Sequence, residues 1–374
     1  MKRIKLLIVG IANRGGGSKT FLINLMKQLS KEQLIEVNAV LPSSYKNLIP
    51  GDVKYIFIND DLLSSSIHRL LFENFELLKI IKGAKPDLVF FASEIIPYRI
   101  RKMKIPIVTN FHSTVLLDNR YKKGYGVKGI YLHHEGKQSI KRAEAIVFVS
   151  YHSQGQILFK YPFLDEKKTY IIYHGIEKQM VENNNGEYLL SIGDRYTHKN
   201  YPQLIDVYKM LVEKYQINQS LIIIGSYKSD DEDKLIQKHI QKDKIGDIII
   251  QDAIDNEKIG EYYKHASVYI SFSDIESFGM TPLEAFSYHV PVIMKETTAL
   301  PEIYGKYKGF IDSKFDDMND IVERIYNAIN DKTYRDVLIK QGEALLTEYS
   351  WEKTGECYFR LFQKIRIDWE KVHQ

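Results

Sequence analysis

The chain has 374 residues, 44% hydrophobic and 27% charged, a globular composition with length enough for two cores. A single cysteine, Cys357, excludes a disulfide framework and a thiolate metal cluster and fits a cytoplasmic setting. The net charge of +4 hides an asymmetry: residues 1–175 carry 27 Lys and Arg against 14 Asp and Glu, and the remainder carries 25 against 34.

The N-terminal run "IKLLIVG" predicts a buried strand. It mimics the start of a signal peptide, but Lys5 interrupts it and glycines follow where a cleavage site would lie. No apolar run approaches the roughly 18 residues of a membrane span. Then comes "IANRGGGSKT", and after it a helix with Phe21, Leu22, Leu25, Met26 and Leu29 on one face. Aligning the nucleotide-triphosphate loop on Lys19-Thr20 puts Asn13 and Ser18 where its glycines belong, so ATP hydrolysis is not expected. The G-x-G-x-x-G spacing fails too. What remains is bare backbone at a helix N-terminus, able to approach an anion or simply to make a tight turn.

Further apolar runs follow: "LIEVNAVLP", "DLVFFAS", "IPIVTNF", "AIVFVS" and "TYIIYHG", then "EYLLSIG", "SLIIIGS", "DIIIQDA", "ASVYISFS" and "VPVIMK". Runs apolar on both faces and alternating with helices predict parallel sheets covered on both sides. The polar connector "KQMVENNNGE" (Lys178–Glu187) separates two doubly wound α/β domains, 1–180 and 181–352, facing across a cleft. Basic stretches at Arg101–Lys104, Arg120–Lys123 and Lys137–Arg142 have Tyr121, Tyr125, Ile130 and Tyr131 among them. They fit either a solvated face or attraction to an anionic membrane surface or lipid-linked phosphate. No nucleic-acid-binding module is recognisable, so that partner is not expected.

The second half is richer. In Ser273–Gly305, Thr281 is expected as N-cap and Pro282 as the first helical residue, with Thr281-x-x-Glu284 reading as a capping box. Glu276 falls in the preceding loop. The amides of Phe278, Gly279, Met280 and Thr281 lie where a phosphate is welcome. The Asp231-Glu232-Asp233 stretch reads as the acidic first turn of a helix rather than a metal site.

These residues resemble the retaining GT-B glycosyltransferases of family four. The likeness rests on Glu276, Phe278-Gly279, Leu283-Glu284-Ala285, Pro291-Val292 and Leu300-Pro301-Glu302. It also rests on Gly193, Arg195, Lys199 and Asn200 and, more weakly, on Tyr349–Thr354. It runs from about residue 170 to 360; earlier it is carried by Gly15–Gly17 and Phe111–Ser113.

The resemblance implies a fold of two Rossmann-like domains and a final helix, 353–374, crossing back to the first. It implies transfer of a sugar from UDP or GDP to a glycan or lipid-linked acceptor, with retention, in surface polysaccharide synthesis. Arg195 and Lys199 would stabilise the departing diphosphate, with Gly16 and Gly17 closing on it or bordering the acceptor. Glu284 would bind the ribose diol. Glu276 would hold donor-sugar hydroxyls or act as the nucleophile of a double displacement, with His112 nearby. Residues Gln251–Lys258 would face the base, without the family's usual glycine. No cofactor or metal is implied. A cytoplasmic enzyme, peripheral on the membrane, is the expectation. The alternatives are a non-catalytic nucleotide or polyanion binder on the same fold and a metal-dependent GT-A transferase, where Asp-x-Asp holds manganese.

Overall fold

The apolar runs pair in parallel. In this computed structural model the described residues are 3–373 without 14, 52, 114–125, 180, 182–185, 228, 243–244, 255 and 313–315. The basic stretch Arg120–Lys123, with Tyr121 and Tyr125, lies outside them, as does part of the Lys178–Glu187 connector.

The chain divides into two units, Met1–Gly175 with Trp351–Gln374, and Ile176–Ser350. The first holds β1 (Ile4–Val9), β2 (Ile35–Pro42), β3 (Lys54–Ile58), β4 (Leu88–Phe91), β5 (Ile107–Phe111), β6 (Ala145–Phe148) and β7 (Thr169–Ile171). Their order is β3-β2-β1-β4-β5-β6-β7, all parallel, with Ile8 paired to Ala39 on one side and Phe90 on the other. Both faces are covered, as the unbroken apolar runs require. Val89 and Phe91 join the core that includes Leu77, Ile81 and Ile140, while Phe90 on the opposite face meets Tyr358 and Phe362. Tyr358 and Phe362 belong to the C-terminal helix Trp351–His373, whose Gly355 lies close against Gln28 of the first helix, Gly16–Leu29. Phe21, Leu22, Leu25, Met26 and Leu29 are all fully buried, the face that the spacing predicts.

The second unit holds β8 (Tyr188–Ile192), β9 (Ser220–Ile224), β10 (Ile248–Gln251), β11 (Ala266–Ser271), β12 (Val292–Lys295) and β13 (Phe310–Ile311), ordered β10-β9-β8-β11-β12-β13 and again parallel. The order reverses between β8 and β11, so ligands of such a sheet bind at the carboxyl ends of these strands. The chain leaves β8 and β9 in near contact there. A Cβ on Gly225 would stand 1.9 Å from the Gly193 carbonyl oxygen, so no side chain fits.

Gly225→Ala therefore should lower stability by about 2–3 kcal/mol, through forced backbone separation. Gly83→Ala, in a helix where a Cβ meets nothing within 4 Å, should instead raise it by up to ~1 kcal/mol. Denaturant melts of the two variants check the contrast.

Candidate active site

Three strand ends and the turns that leave them build the site of the second unit. After β8 the chain runs through Gly193 and Arg195 into a 3-10 turn, Thr197–Lys199. Asn200, in the left-handed region at φ 53°, then turns it into the helix Tyr201–Tyr215. The turn is fastened to the loop after β11: Asp274 N donates to the His198 carbonyl at 2.7 Å. That loop is braced by the one after β12. Glu276 N donates to Thr298 Oγ1 at 2.8 Å, the Thr298 hydroxyl donates to the Glu276 carbonyl at 2.7 Å, and Lys295 pairs with Asp274.

Held this way, Lys199 and Glu276 meet. The Lys199 ammonium donates to Glu276 Oε1 at 2.6 Å, and each side chain is about one-fifth exposed. A partly desolvated, charge-assisted bond of this kind is stronger than a surface ion pair.

Arg195 goes elsewhere. Its guanidinium is buried, with Nη1 donating to the Gly225 carbonyl at 2.6 Å, Nη2 donating to Asp252 at 3.0 Å, and Asp233 at 3.3 Å from Nε. It ties together the ends of β8, β9 and β10. Asp252, 79% exposed, is the more solvent-accessible of the two carboxylate partners. Asp231, Glu232 and Asp233 open the helix Asp230–Gln241, and Glu232 accepts from Thr197 N and Oγ1.

The helix after β11 starts earlier than expected. It spans Met280–Ser287 with Gly279 as N-cap at φ 83°, so Thr281 is its second residue and Pro282 its third. Neither a side-chain cap nor the Thr281–Glu284 box forms. Gly279 alone can take that backbone angle, and a Cβ there would press on Leu300 at 2.5 Å. Proline is tolerated at the third position because the amides of the first turn have no intrahelical partner. Thr281 Oγ1 instead accepts from the Tyr269 hydroxyl at 2.7 Å, and Glu284 accepts from Tyr263 at 2.9 Å. Burial raises the Glu284 carboxyl above its ordinary value, and the Tyr263 hydrogen bond opposes this. The ring of Phe278 is buried edge-on against Tyr349.

In the first unit His112 follows β5. Its Nε2 lies 3.1 Å from the Ala92 carbonyl and 2.9 Å from Asn110 Nδ2, and its ring packs on His174 and Phe21. Burial drops its pKa to about 4, so the ring is neutral at physiological pH. Phe21 links it to the helix that Gly16 and Gly17 begin; both glycines are exposed, and Gly16 takes φ 57°. Asn13 is buried, donating to the Ala92 carbonyl at 2.7 Å. It serves as a brace where a triphosphate loop needs glycine. Glu94 was not anticipated: it accepts from His112 N at 3.2 Å. Nor were Tyr263, Tyr269 and Thr298, whose partners lie far along the chain and leave no local pattern.

Comparison with known proteins converges. Residues 175–345 match the family described as glycosyl transferases group 1, and residues 15–179 match Glycosyltransferase Family 4. The chain belongs to this group of glycosyltransferases. It is 29% identical over 165 residues to O-antigen chain mannosyltransferase B of Escherichia coli, covering 44% of this chain and 42% of that one. It is 25% identical over 230 residues to the capsular polysaccharide biosynthesis glycosyltransferase CapM of Staphylococcus aureus, covering 59% and 57%. The chain thus spans about half the length of these two relatives.

Two solved structures share the fold over nearly all of both chains. One is a sucrose-phosphate synthase from Thermosynechococcus elongatus (TM-score 0.76, 16% identity, 97% of this chain and 99% of that). The other is Anabaena HepE in complex with UDP and glucose (TM-score 0.75, 13% identity, 96% and 100%). The architecture is GT-B, which removes the GT-A alternative.

The raised pKa of Glu284 gives a signed expectation. Its favourable contribution is complete while the carboxyl is protonated and is lost as the pH rises through the native pKa. Glu284→Gln removes that loss, so the stability difference should move in favour of the variant between pH 4 and pH 7.5. A pH-independent difference in paired melts would contradict it.

Proposed function

We propose that the chain transfers a hexose from a nucleoside diphosphate to a glycan or lipid-linked acceptor with retention of anomeric configuration, in polysaccharide synthesis. The observation that carries this reading is the juxtaposition of Lys199 and Glu276 at the carboxyl edge of the second sheet, where the site helix also presents Glu284. A cation already seated on a carboxylate is a preformed place for a diphosphate, because the incoming anion replaces one negative partner with another.

In this reading Lys199 leaves Glu276 for the diphosphate, and Arg195 exchanges Asp252 for it while keeping the Gly225 carbonyl. The amides around Met280 receive the same phosphates at the helix N-terminus. Glu284 accepts from the two ribose hydroxyls. Glu276, released, accepts from hydroxyls of the donor sugar. The bond from the anomeric carbon to the phosphate oxygen breaks, and the acceptor oxygen bonds to that carbon from the same face. The acceptor proton passes to the departing phosphate oxygen. Neutral His112 serves as a hydrogen-bonding group toward the sugar, not as an acid. Gly16 and Gly17 leave bare backbone beside acceptor or diphosphate. No metal or cofactor is required, and the donor base is uracil or guanine.

Likeness to mannosyltransferases of O-antigen synthesis and to a capsule glycosyltransferase supports the polysaccharide role. The fold shared with HepE, solved with UDP and glucose, supports the nucleotide donor.

A melting screen against UDP, GDP and their sugars identifies the donor by selective stabilisation. With that donor and a polyprenyl-linked acceptor, Glu276→Ala should lose on the order of 100-fold in kcat, while the variant stays folded with an apo melting temperature lowered by several degrees through loss of the Lys199 bond. Wild-type turnover at saturating donor would contradict the assignment. Turnover should persist undiminished in EDTA; abolition by the chelator would contradict the metal-free reading.

A further inference from the structure

A cavity of about 370 Å³ opens in the first unit at the edge of the sheet away from His112. Asp87 and Pro106, which line it, stand immediately before β4 and β5, whereas His112 follows β5 at the other end. The apolar lining comes from Ile81, Met103 and Ile105, and from Trp369 of the C-terminal helix. Trp369 is half-buried and its ring stacks on that of His373 at 3.8 Å, which fixes the indole at the cavity wall. The volume lies within the roughly 300–1,000 Å³ of small-molecule sites, which combine an apolar lining with a few convergent polar groups.

The polar groups here are mostly cationic. Lys82, Lys85, Lys104 and Arg366 line the cavity against two carboxylates, Asp87 and Glu370. Both carboxylates are engaged: Asp87 Oδ2 accepts from Lys5 N at 2.8 Å, and Glu370 Oε1 accepts from Arg366 Nε at 3.0 Å. The three lysines are exposed, and among the described residues none of them makes an ion pair. Lys82 and Lys85 lie in and just after the last turn of the helix Leu77–Ala84, where the carbonyl end favours a cation. Lys104 belongs to a different segment, the approach to β5, so that helix end does not account for it. Lys85 takes φ 46°, a left-handed angle that glycine adopts without strain, directly before Pro86. A strained residue other than glycine on a cavity rim points to use of its side chain.

We propose that this cavity is a second ligand site, which takes an organic phosphate carrying a flat ring, a nucleotide in chemical class. The lysine ammonium groups supply point charges for the phosphates. The indole and the apolar floor take the ring, since stacking on an aromatic side chain tolerates any base. Inorganic phosphate alone leaves the floor unused, and a neutral apolar ligand leaves three ammonium groups without a counter-charge. The site shares no residue with the Lys199–Glu276 pair or with His112, and it lies at the opposite end of the first sheet from His112.

The test is titration of the full chain with ADP, followed by tryptophan fluorescence; adenine sets the probe apart from the uracil or guanine of the donor. The chain has two tryptophans and Trp351 is buried, so Trp369 reports a ligand in the cavity. ADP should quench the wild type, and Trp369→Phe should lose the quench. The double variant Lys85→Ala with Lys104→Ala should bind ADP about tenfold more weakly. Pyrophosphate, which has the charge without the ring, should bind the wild type about tenfold more weakly than ADP does. Lys199→Ala, which removes the proposed diphosphate cation of the second unit, should leave the quench unchanged, so failure here and failure of the transferase reading are told apart. Any one of five results would overturn the proposal: no quench at millimolar ADP; a quench that survives Trp369→Phe; undiminished affinity in the lysine variant; pyrophosphate binding as tightly as ADP; or loss of the quench in Lys199→Ala.

Discussion

The bond between Lys199 and Glu276 is the interaction on which the account of the site depends. It fixes two ends of chain that are 77 residues apart in sequence at 2.6 Å. A hydrogen bond between charged groups contributes on the order of 1.5–3 kcal/mol. That is enough to order the site and small enough for a diphosphate, with more than one negative charge, to displace it.

Around this pair the scaffold is stiff by construction. Gly225 lets the ends of β8 and β9 touch, and Gly279 lets the chain turn into the site helix directly against Leu300. Tyrosines finish the frame. Tyr201 donates to the Gly193 carbonyl at 2.6 Å, Tyr304 to the Gly279 carbonyl, Tyr269 to Thr281 and Tyr263 to Glu284. Each hydroxyl satisfies a polar group that burial would otherwise penalise. Preorganisation of this sort is what electrostatic stabilisation of a leaving group needs.

Much of the fold was legible because both sheets are parallel and covered on both faces, which writes strands as apolar runs. The two strands that escaped, β3 and β13, are edge strands; Lys54–Ile58 is half exposed and Phe310–Ile311 is two residues long. The chain divides at Gly175 and Ile176, where the connector's composition pointed to 180 and 181. At the candidate site, the family resemblance pointed to Lys199, Glu276 and Glu284 but not to the side chains that hold them. The misread N-cap shows the limit. Thr281 followed by Pro282 has the local look of a helix start, yet a tyrosine from β11 takes the threonine and a glycine two residues earlier takes the turn. Tertiary contacts decided between two locally acceptable caps. Arg195 shows the same limit from the other side, since nothing near it in sequence discloses Asp233 or Asp252.

The most direct measurement is a crystal structure with the nucleoside diphosphate selected by the melting screen. The account predicts the Lys199 ammonium within hydrogen-bond distance of a phosphate oxygen, parted from Glu276, with the phosphates at the head of the helix Met280–Ser287. A ligand bound elsewhere, with Lys199 still seated on Glu276, would contradict it.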